Sequence, residues 1–96
     1  MNVLRIIELT EFQKRVLDAV PATRWGIDAN KITQRVYPEW KSGTWGKRKA
    51  HVKRVLGLLR RYNLIKWHTE GFGMRQRRYI AFYFKDIPDD VRVRVR

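Results

Sequence analysis

Cysteine is absent from this chain of 96 residues, and acidic residues are scarce: nine Asp and Glu stand against 22 Lys and Arg, so the formal net charge is +13. Without cysteine, the protein has no disulfide framework and no thiolate metal site. No apolar run approaches the ~20 residues that a membrane-spanning helix requires. The short apolar segment at residues 3–9 is interrupted by Arg5 and Glu8, which argues against a secretory signal. We therefore expect an intracellular protein, cytoplasmic or nucleoid-associated, and located in the host cell if its source is a virus.

Motifs for catalysis and cofactor binding are also missing. The sequence has no glycine loop that would cradle a phosphate and no nucleophile placed beside a base. His51 and His68 have no third metal ligand near them, so a solvated or hydrogen-bonded imidazole is the better interpretation of each. The acidic group of Asp86, Asp89 and Asp90 fits a turn better than an active site. We expect a protein that is not an enzyme and that needs no cofactor or metal.

The positive charge is concentrated between Thr44 and Ile80. This stretch has eleven Lys or Arg and a single acid, Glu70, so it carries +10 of the formal charge. The residues before it carry +2 and the residues after it +1. A local excess of this kind, with almost no acid to balance it, favours a surface that binds nucleic acid over an ordinary solvated face.

The first half of the basic stretch has the spacing of an amphipathic helix. Apolar residues recur at intervals typical of one buried helix face: Trp45, Val52, Val55, Leu56 and Leu59. The opposite face combines cations with small residues: Gly46, Lys47, Ala50, Lys53, Arg54, Gly57 and Arg61. Ser42 or Thr44 is the expected N-cap, and Asn63 is the expected stop because Asn tolerates the left-handed conformation. The pattern predicts a helix from about Trp45 to about Tyr62.

The second half of the basic stretch changes to the pattern of β-strands. Residues 64–69 and 77–84 are rich in β-branched and aromatic side chains. They are joined by residues 70–76, in which Gly71 and Gly73 supply turn freedom. The pattern predicts a hairpin with arginines at the start of its second strand.

Two shorter helices are expected before the basic stretch. Thr10 and Gln13 have the spacing of a capping box, and Pro21 ends the helix that they begin. Asp28 is the expected N-cap of the second helix, which Pro38 ends. Residues 24–27, between the two helices, are a candidate for a short strand beside the hairpin.

A helix, a short turn and a basic hairpin, in this order, resemble the winged helix-turn-helix family of DNA-binding domains, in particular the small transcription regulators of prokaryotes, archaea and viruses. The resemblance rests on the passage VKRVLGLLRRYNLIKW, residues 52–67, in which an apolar-spaced helix ends in a polar turn and enters a strand. It implies an α+β fold with three helices followed by a β-hairpin wing and short terminal extensions. The chain departs from the family at residues 38–43, where the connection is longer than the usual 3 to 4 residues.

The chain is expected to form one winged-helix domain over residues 1–96. Within it, residues 1–9 are an N-terminal arm, residues 10–84 the core and residues 85–96 a C-terminal tail. The resemblance implies a recognition helix at about residues 44–62 in the major groove, and a wing at about residues 64–84 on the minor groove or the phosphates.

The candidate DNA-binding residues follow from these two elements. On the helix they are Thr44, Lys47, Arg48, Ala50, His51, Lys53, Arg54 and Arg61, and on the wing they are Arg75, Gln76, Arg77 and Arg78. The resemblance implies that Thr44, Lys47, Ala50, His51 and Arg54 reach the groove, and the helical wheel independently supports Lys47, Ala50 and Arg54. Arginine can read guanine through two hydrogen bonds, whereas lysine more often holds a phosphate. The expected function is sequence-specific binding of double-stranded DNA and regulation of transcription.

The two ends of the chain leave several alternatives open. The sequence VRVRVR at residues 91–96 alternates strictly, which favours a strand. That strand pairs with an edge of its own domain, pairs with a second subunit, or stays unpaired. The apolar residues of the N-terminal arm fit a strand, a helical extension or a contact with a partner. We expect a homodimer, because two half-sites multiply the affinity of a small module.

Three other functions are compatible with the same charge: an RNA-binding or ribosome-associated winged helix, a nonspecific DNA-packaging protein and a protein-interaction domain. Stacking on unpaired bases would use exposed aromatic residues, of which the candidates are Trp25, Trp40, Trp45, Trp67, Tyr79, Phe82 and Phe84. Aromatic residues more often belong to the core, and Trp45 and Phe82 fall where a core residue is expected. The basic helix face argues against the protein-interaction alternative.

Overall fold

The computed structural model of the protein is an α+β domain, with three helices and five strands in two sheets among the residues that it describes. These are residues 4–39, 44–72 and 78–96, and only the backbone is described for Phe72, Arg78 and Tyr79. The elements in chain order are β1 (Arg5–Leu9), α1 (Glu11–Ala19), β2 (Ile27–Asp28), α2 (Ala29–Val36), α3 (Trp45–Arg61), β3 (Ile65–Phe72), β4 (Arg78–Lys85) and β5 (Val91–Val95). The expected α+β class is confirmed, but the strands outnumber those of the expected hairpin.

Local capping signals account for the starts of α1 and α2. The hydroxyl of Thr10 accepts a hydrogen bond from the backbone N–H of Gln13 at 3.2 Å, and the Gln13 side chain accepts one from the backbone N–H of Thr10 at 2.9 Å. This is the predicted capping box. The Asp28 carboxylate accepts a hydrogen bond from the backbone N–H of Lys31 at 2.8 Å, as an N-cap does.

The longest helix, α3, ends in a Schellman motif built around Asn63. Asn63 has a φ of 62°, the left-handed conformation that Asn tolerates. The backbone N–H of Asn63 donates to the Arg60 carbonyl at 2.9 Å, and that of Leu64 donates to the Leu59 carbonyl at 3.0 Å. Both the predicted stop and the predicted span of α3 are confirmed, the helix ending one residue earlier than expected.

The predicted hairpin, formed by β3 and β4, belongs to a three-stranded antiparallel sheet in the order β2-β4-β3, with β4 at its centre. Trp67 of β3 lies opposite Tyr83 of β4, and Ile27 of β2 lies opposite the same tyrosine from the other side. The strand expected at residues 24–27 therefore starts only at Ile27. Gly26 precedes it with a φ of +68°, and a Cβ at this position would lie 2.8 Å from the carbonyl oxygen of Tyr83. Glycine is therefore what allows the chain to pass so close to β4.

The two ends of the chain form a second sheet, in which β1 and β5 are parallel. Ile7 lies opposite Val93, and the side chains of Ile7, Leu9 and Val91 are buried. Among the alternatives for the tail, the structure has it paired with its own domain. The unpaired tail and the helical extension of the N-terminal arm are not what the structure shows, because β1 and β5 are paired strands and Val91 and Val93 of β5 pack on the core.

One hydrophobic core joins the three helices to both sheets. Its most deeply buried side chains are Leu9, Val16, Leu17, Val20, Ile32, Val52, Leu56, Leu59 and Leu64. The expectation that Trp45 and Phe82 belong to this core is wrong, since both are only partly buried and neither is among the core residues. Trp45 is the first residue of α3, whereas the buried residues of this helix start at Val52. Phe82 stacks with His68, with 5.6 Å between ring centroids.

Candidate nucleic-acid interface

The solvent-facing side of α3 presents cations and small residues together. We call this face the α3 ridge; it consists of Gly46, Lys47, Ala50, Lys53, Arg54, Gly57 and Arg61. All of these residues are exposed except Gly57, which is partly buried. The opposite face supplies Val52, Val55, Leu56 and Leu59, which are at most 6% exposed. The helix is therefore oriented as its apolar spacing predicts.

Within the described residues, no acidic side chain forms an ion pair with α3. The helix contains seven Lys or Arg and no Asp or Glu. The ion pairs that the structure describes all lie elsewhere: Lys14 with Asp18, Lys66 with Asp86 and Arg94 with Glu8. Three cations near the start of the helix, Lys47, Arg48 and Lys49, even oppose the helix dipole, an effect of ~0.3–1 kcal/mol for a charge in the first turn. The cations near the start of α3 therefore do not serve to stabilise the helix.

One flank of α3 adjoins the sheet that contains the hairpin. A cleft of about 270 Å³ lies between α3, the start of α2 and β4, and it is lined by Asp28, Ala29, Asn30, Lys49, Lys53, Ile80, Ala81 and Tyr83. Further along the helix, the guanidinium of Arg60 lies over the ring of Trp67, 4.4 Å from its centroid. These contacts make the α3 ridge and the hairpin neighbours on the surface.

The other flank of α3 packs against α1 and the end of α2. The His51 ring stacks on Phe12 of α1 with 4.4 Å between centroids and 22° between ring planes. The Arg48 guanidinium donates a hydrogen bond to the carbonyl of Glu39 at 3.0 Å and lies 4.8 Å from the centroid of Tyr37. Arg48 is partly buried by these contacts. Of the candidate DNA-binding residues, Arg48 thus has a structural role in holding the segment after α2.

Four candidate residues line a shallow hollow on the surface of α3: Lys47, Ala50, His51 and Arg54. The hollow combines two cations, an imidazole and a small side chain in the first half of the helix. Thr44 is exposed at the N-cap position, one turn before the hollow, and Arg61 is exposed at the last residue of α3. The helix residues expected to contact a duplex therefore lie on one continuous surface, with Arg48 outside it.

The wing residues are described only in part. Arg78 is the first residue of β4, and its backbone pairs with Phe72. Arg75, Gln76 and Arg77 lie outside the described residues. The candidate interface on the wing therefore stays a prediction from the sequence.

Lys49 and Arg60 of α3 lie beside the α3 ridge, although the sequence pattern did not identify them as candidate DNA-binding residues. A helical wheel places both on the same flank as Lys53, between the α3 ridge and the buried face. The wheel cannot tell which flank of a helix meets the hairpin, because that depends on tertiary packing. The only sequence signal for these two residues was the excess of Lys and Arg over acids in residues 44–80, to which both contribute.

The chemistry of the site is that of fixed positive charge. Burial raises the pKa of the Tyr83 phenol above 10.0, against a smaller opposing effect of the Arg60 charge. Tyr83 therefore lines the cleft as a neutral hydroxyl at physiological pH. Among the described residues, no group of three or more His, Cys, Asp or Glu is placed to hold a metal ion.

Comparison with known proteins finds no protein-family model, no curated protein and no solved structure that matches this chain. No helix within the described residues has the length and apolar character needed to cross a membrane.

Proposed function

We propose that this protein is a winged-helix protein that binds double-stranded DNA sequence-specifically and regulates transcription. The observation that carries the proposal is the α3 ridge, an exposed helical surface with four cations, three small residues and no acid. A helix of this kind fits the B-DNA major groove, which is ~12 Å wide. The small residues Gly46, Ala50 and Gly57 would let the backbone of α3 approach the base edges closely.

The proposed roles of the cations differ with their place on α3. Arg54 lies at the centre of the ridge and is the residue proposed to read guanine through a bidentate contact. Lys47, Lys53 and Arg61 are proposed to hold phosphates, and Lys49 adds charge beside the hairpin. The cations near the start of α3 support this assignment, because a helix N-terminus with added positive charge attracts phosphate.

The hairpin of β3 and β4 is the proposed wing. Three helices followed by a hairpin, with β2 added to the sheet, resemble the winged-helix order. Arg75, Gln76, Arg77 and Arg78 at the far end of the hairpin would enter the minor groove or grip the flanking phosphates. The contact of Arg60 with Trp67 supports a fixed orientation of α3 relative to this wing.

We also propose that the protein binds as a homodimer. A single module of this size buries limited surface on DNA, and two copies on half-sites about one helical turn apart multiply the affinity. The proposed function would place the protein in the cell interior, in contact with DNA.

Selection of bound sequences from a random duplex pool tests the proposal most directly. We expect one enriched motif with two related half-sites, and binding that weakens steeply with salt as counterions are released. Retention of DNA without any enriched motif would favour a packaging protein. Structured RNA that displaces duplex DNA in competition would favour the RNA-binding alternative. A titration at low salt in which duplex DNA stays unbound would refute the proposal.

A further inference from the structure

The sheet of β1 and β5 has an open side along β1. No described strand lies on that side. The backbone N–H of Arg5 donates to the carbonyl of Asp90 at 2.7 Å, and the carbonyl of Leu9 accepts from the N–H of Arg96 at 2.9 Å. Backbone groups alternate in direction along a strand, so the N–H and C=O groups of Ile6 and Glu8 point away from β5. These are the groups through which β1 can accept another strand.

The open sides of β1 and β5 differ in charge. On the solvent face of β5, Arg92 and Arg94 alternate with the valines, and Arg96 follows. A second β5 placed beside it would bring like charges together, which is how natural sheets protect an edge. β1 has less of this protection: of its two exposed charges, Glu8 is already paired with Arg94, and Arg5 lies at the first position of the strand.

Exposed apolar side chains accompany this less protected edge. Ile6 is 57% exposed at the middle of the solvent face of β1, and Leu4, just before the strand, is 54% exposed. Within the part of the chain that the structure describes, this edge therefore has two exposed apolar side chains, and Ile6 and Glu8 have no backbone hydrogen-bond partner there. Such an edge is a template for strand addition.

We infer that β1 pairs with β1 of a second copy of this chain, antiparallel across a two-fold axis, in a continuous sheet of order β5-β1-β1-β5. In the register centred on Ile6, Ile6 lies directly opposite Ile6 of the second copy. Its N–H and C=O groups exchange hydrogen bonds with the same groups there, with ~5.5 Å between the two Cα atoms. The inference names the contact of the proposed homodimer, and it does not depend on DNA binding.

Self-pairing of β1 satisfies the charge pattern better than the other combinations of these two edges. It leaves the arginines of β5 at both outer edges of the four-stranded sheet, where they face solvent. Pairing β5 with β5 would oppose Arg92 and Arg94 with their own copies. Pairing β1 with β5 of the next copy would be head-to-tail and would leave an open edge on every assembly. The self-paired β1 closes the assembly at two copies without opposing the arginines of β5.

A charge placed at Ile6 tests the contact, with an equivalent change on β5 as its control. Ile6→Lys puts two like charges opposite one another across the two-fold axis, whereas Val95→Lys changes a 44% exposed aliphatic residue of β5 in the same way. Light scattering without DNA should give twice the chain mass of 11.6 kDa for the wild type and for Val95→Lys, and the single chain mass for Ile6→Lys. A dimer that persists unchanged in Ile6→Lys would overturn the inference, and so would a wild type that stays monomeric at every concentration.

Crosslinking tests the register and does not depend on the stability of the lysine variant. Because the chain has no cysteine, Ile6→Cys places one thiol in each copy. Mild oxidation should link the copies of Ile6→Cys, since Cα atoms ~5.5 Å apart suit a disulfide. Arg92→Cys is the matched control, because Arg92 is the partner of Ile6 on β5 and the two copies would lie about three strand spacings apart, ~14 Å. Equal crosslinking of the two variants would overturn the inference, while duplex binding, titrated separately on the wild type, would still report on the proposed function.

Discussion

The guanidinium of Arg60 lies over the indole ring of Trp67, 4.4 Å from its centroid, and so connects the last turn of α3 to the first strand of the hairpin. The next residue, Arg61, has no such aromatic contact among the described residues and belongs to the α3 ridge. Two adjacent arginines of one helix turn thus have different surroundings. A cation over an indole is worth ~0.5–1 kcal/mol at an exposed site.

Substituting the two arginines separately should separate stability from binding. We expect Arg60→Gln to lower the free energy of unfolding by ~0.5–1 kcal/mol in urea denaturation, because it removes the cation above Trp67. Arg61→Gln should leave the free energy of unfolding nearly unchanged and reduce the salt dependence of duplex binding by about one counterion. Both residues lie in the last turn of α3, so the loss of favourable interaction with the helix dipole is shared by the two variants. Equal stability losses would mean that the stacking contributes nothing.

Arg54 and Lys66 form a second informative pair. Arg54 is exposed at the centre of the α3 ridge, whereas the Lys66 ammonium lies 2.7 Å from the Asp86 carboxylate on the sheet. Arg54→Ala should weaken binding to the selected duplex by ~1–3 kcal/mol and relax the preference at one base pair. Lys66→Ala removes the same charge from the protein and should hardly change binding. Equal losses in a titration of both variants would indicate nonspecific attraction by charge.

The substitution Gly57→Ala is expected to raise the stability of the protein and to weaken its binding to duplex DNA. Gly57 lies in the interior of α3, and a Cβ at this position would have no atom within 4 Å. Gly57→Ala should therefore raise the free energy of unfolding by up to ~1 kcal/mol, since alanine has the higher helix propensity. If the ridge approaches DNA closely, the added methyl group should weaken duplex binding. Thermal unfolding and a titration of the same variant would check both signs, and unchanged affinity would remove Gly57 from the interface.

The helices and their ends were predictable because the signals for them are local. A capping box at Thr10, an N-cap at Asp28 and a left-handed stop at Asn63 each depend on residues within a few positions of one another. The exposed ridge of α3 was predictable for the same reason, since the spacing of its apolar residues fixes which face is buried.

The rest depended on contacts between residues distant in the sequence. Strict alternation in the tail indicates a strand but not its partner, and that partner, β1, begins 86 residues before it. Similarly, the helical wheel leaves Arg48 off the ridge but does not show that its guanidinium donates to the distant carbonyl of Glu39. The sequence therefore predicted which residues make up the candidate site, but not which of its cationic side chains contact other parts of the protein.

Gly26 is expected to be among the positions least tolerant of substitution. Its φ of +68° is unfavourable for any residue with a Cβ, and an added methyl group would lie 2.8 Å from the backbone carbonyl oxygen of Tyr83. We expect Gly26→Ala to lower the free energy of unfolding by more than ~1 kcal/mol, because the left-handed conformation alone costs about that much. Gly57→Ala serves as the control, because the same change from glycine to alanine should there raise the free energy of unfolding. Denaturation of the two variants under the same conditions would show whether the close approach of β2 to β4 matters for stability.

The ion pair between Glu8 and Arg94 should make the β1–β5 sheet sensitive to acid. The hydrogen bond and the charge of Arg94 hold the pKa of Glu8 below its usual 4.5, with Arg96 acting in the same direction. A carboxylate with a lowered pKa contributes stability above its unfolded pKa, and this contribution is lost as the pH falls through the folded value. Glu8→Gln should therefore be slightly less stable than the wild type at neutral pH, and the difference should disappear in acid. Because Glu8 is exposed, the difference should also shrink in high salt. Urea denaturation of both proteins from neutral pH into acid would check the prediction. A difference in the free energy of unfolding that does not change with pH would contradict it.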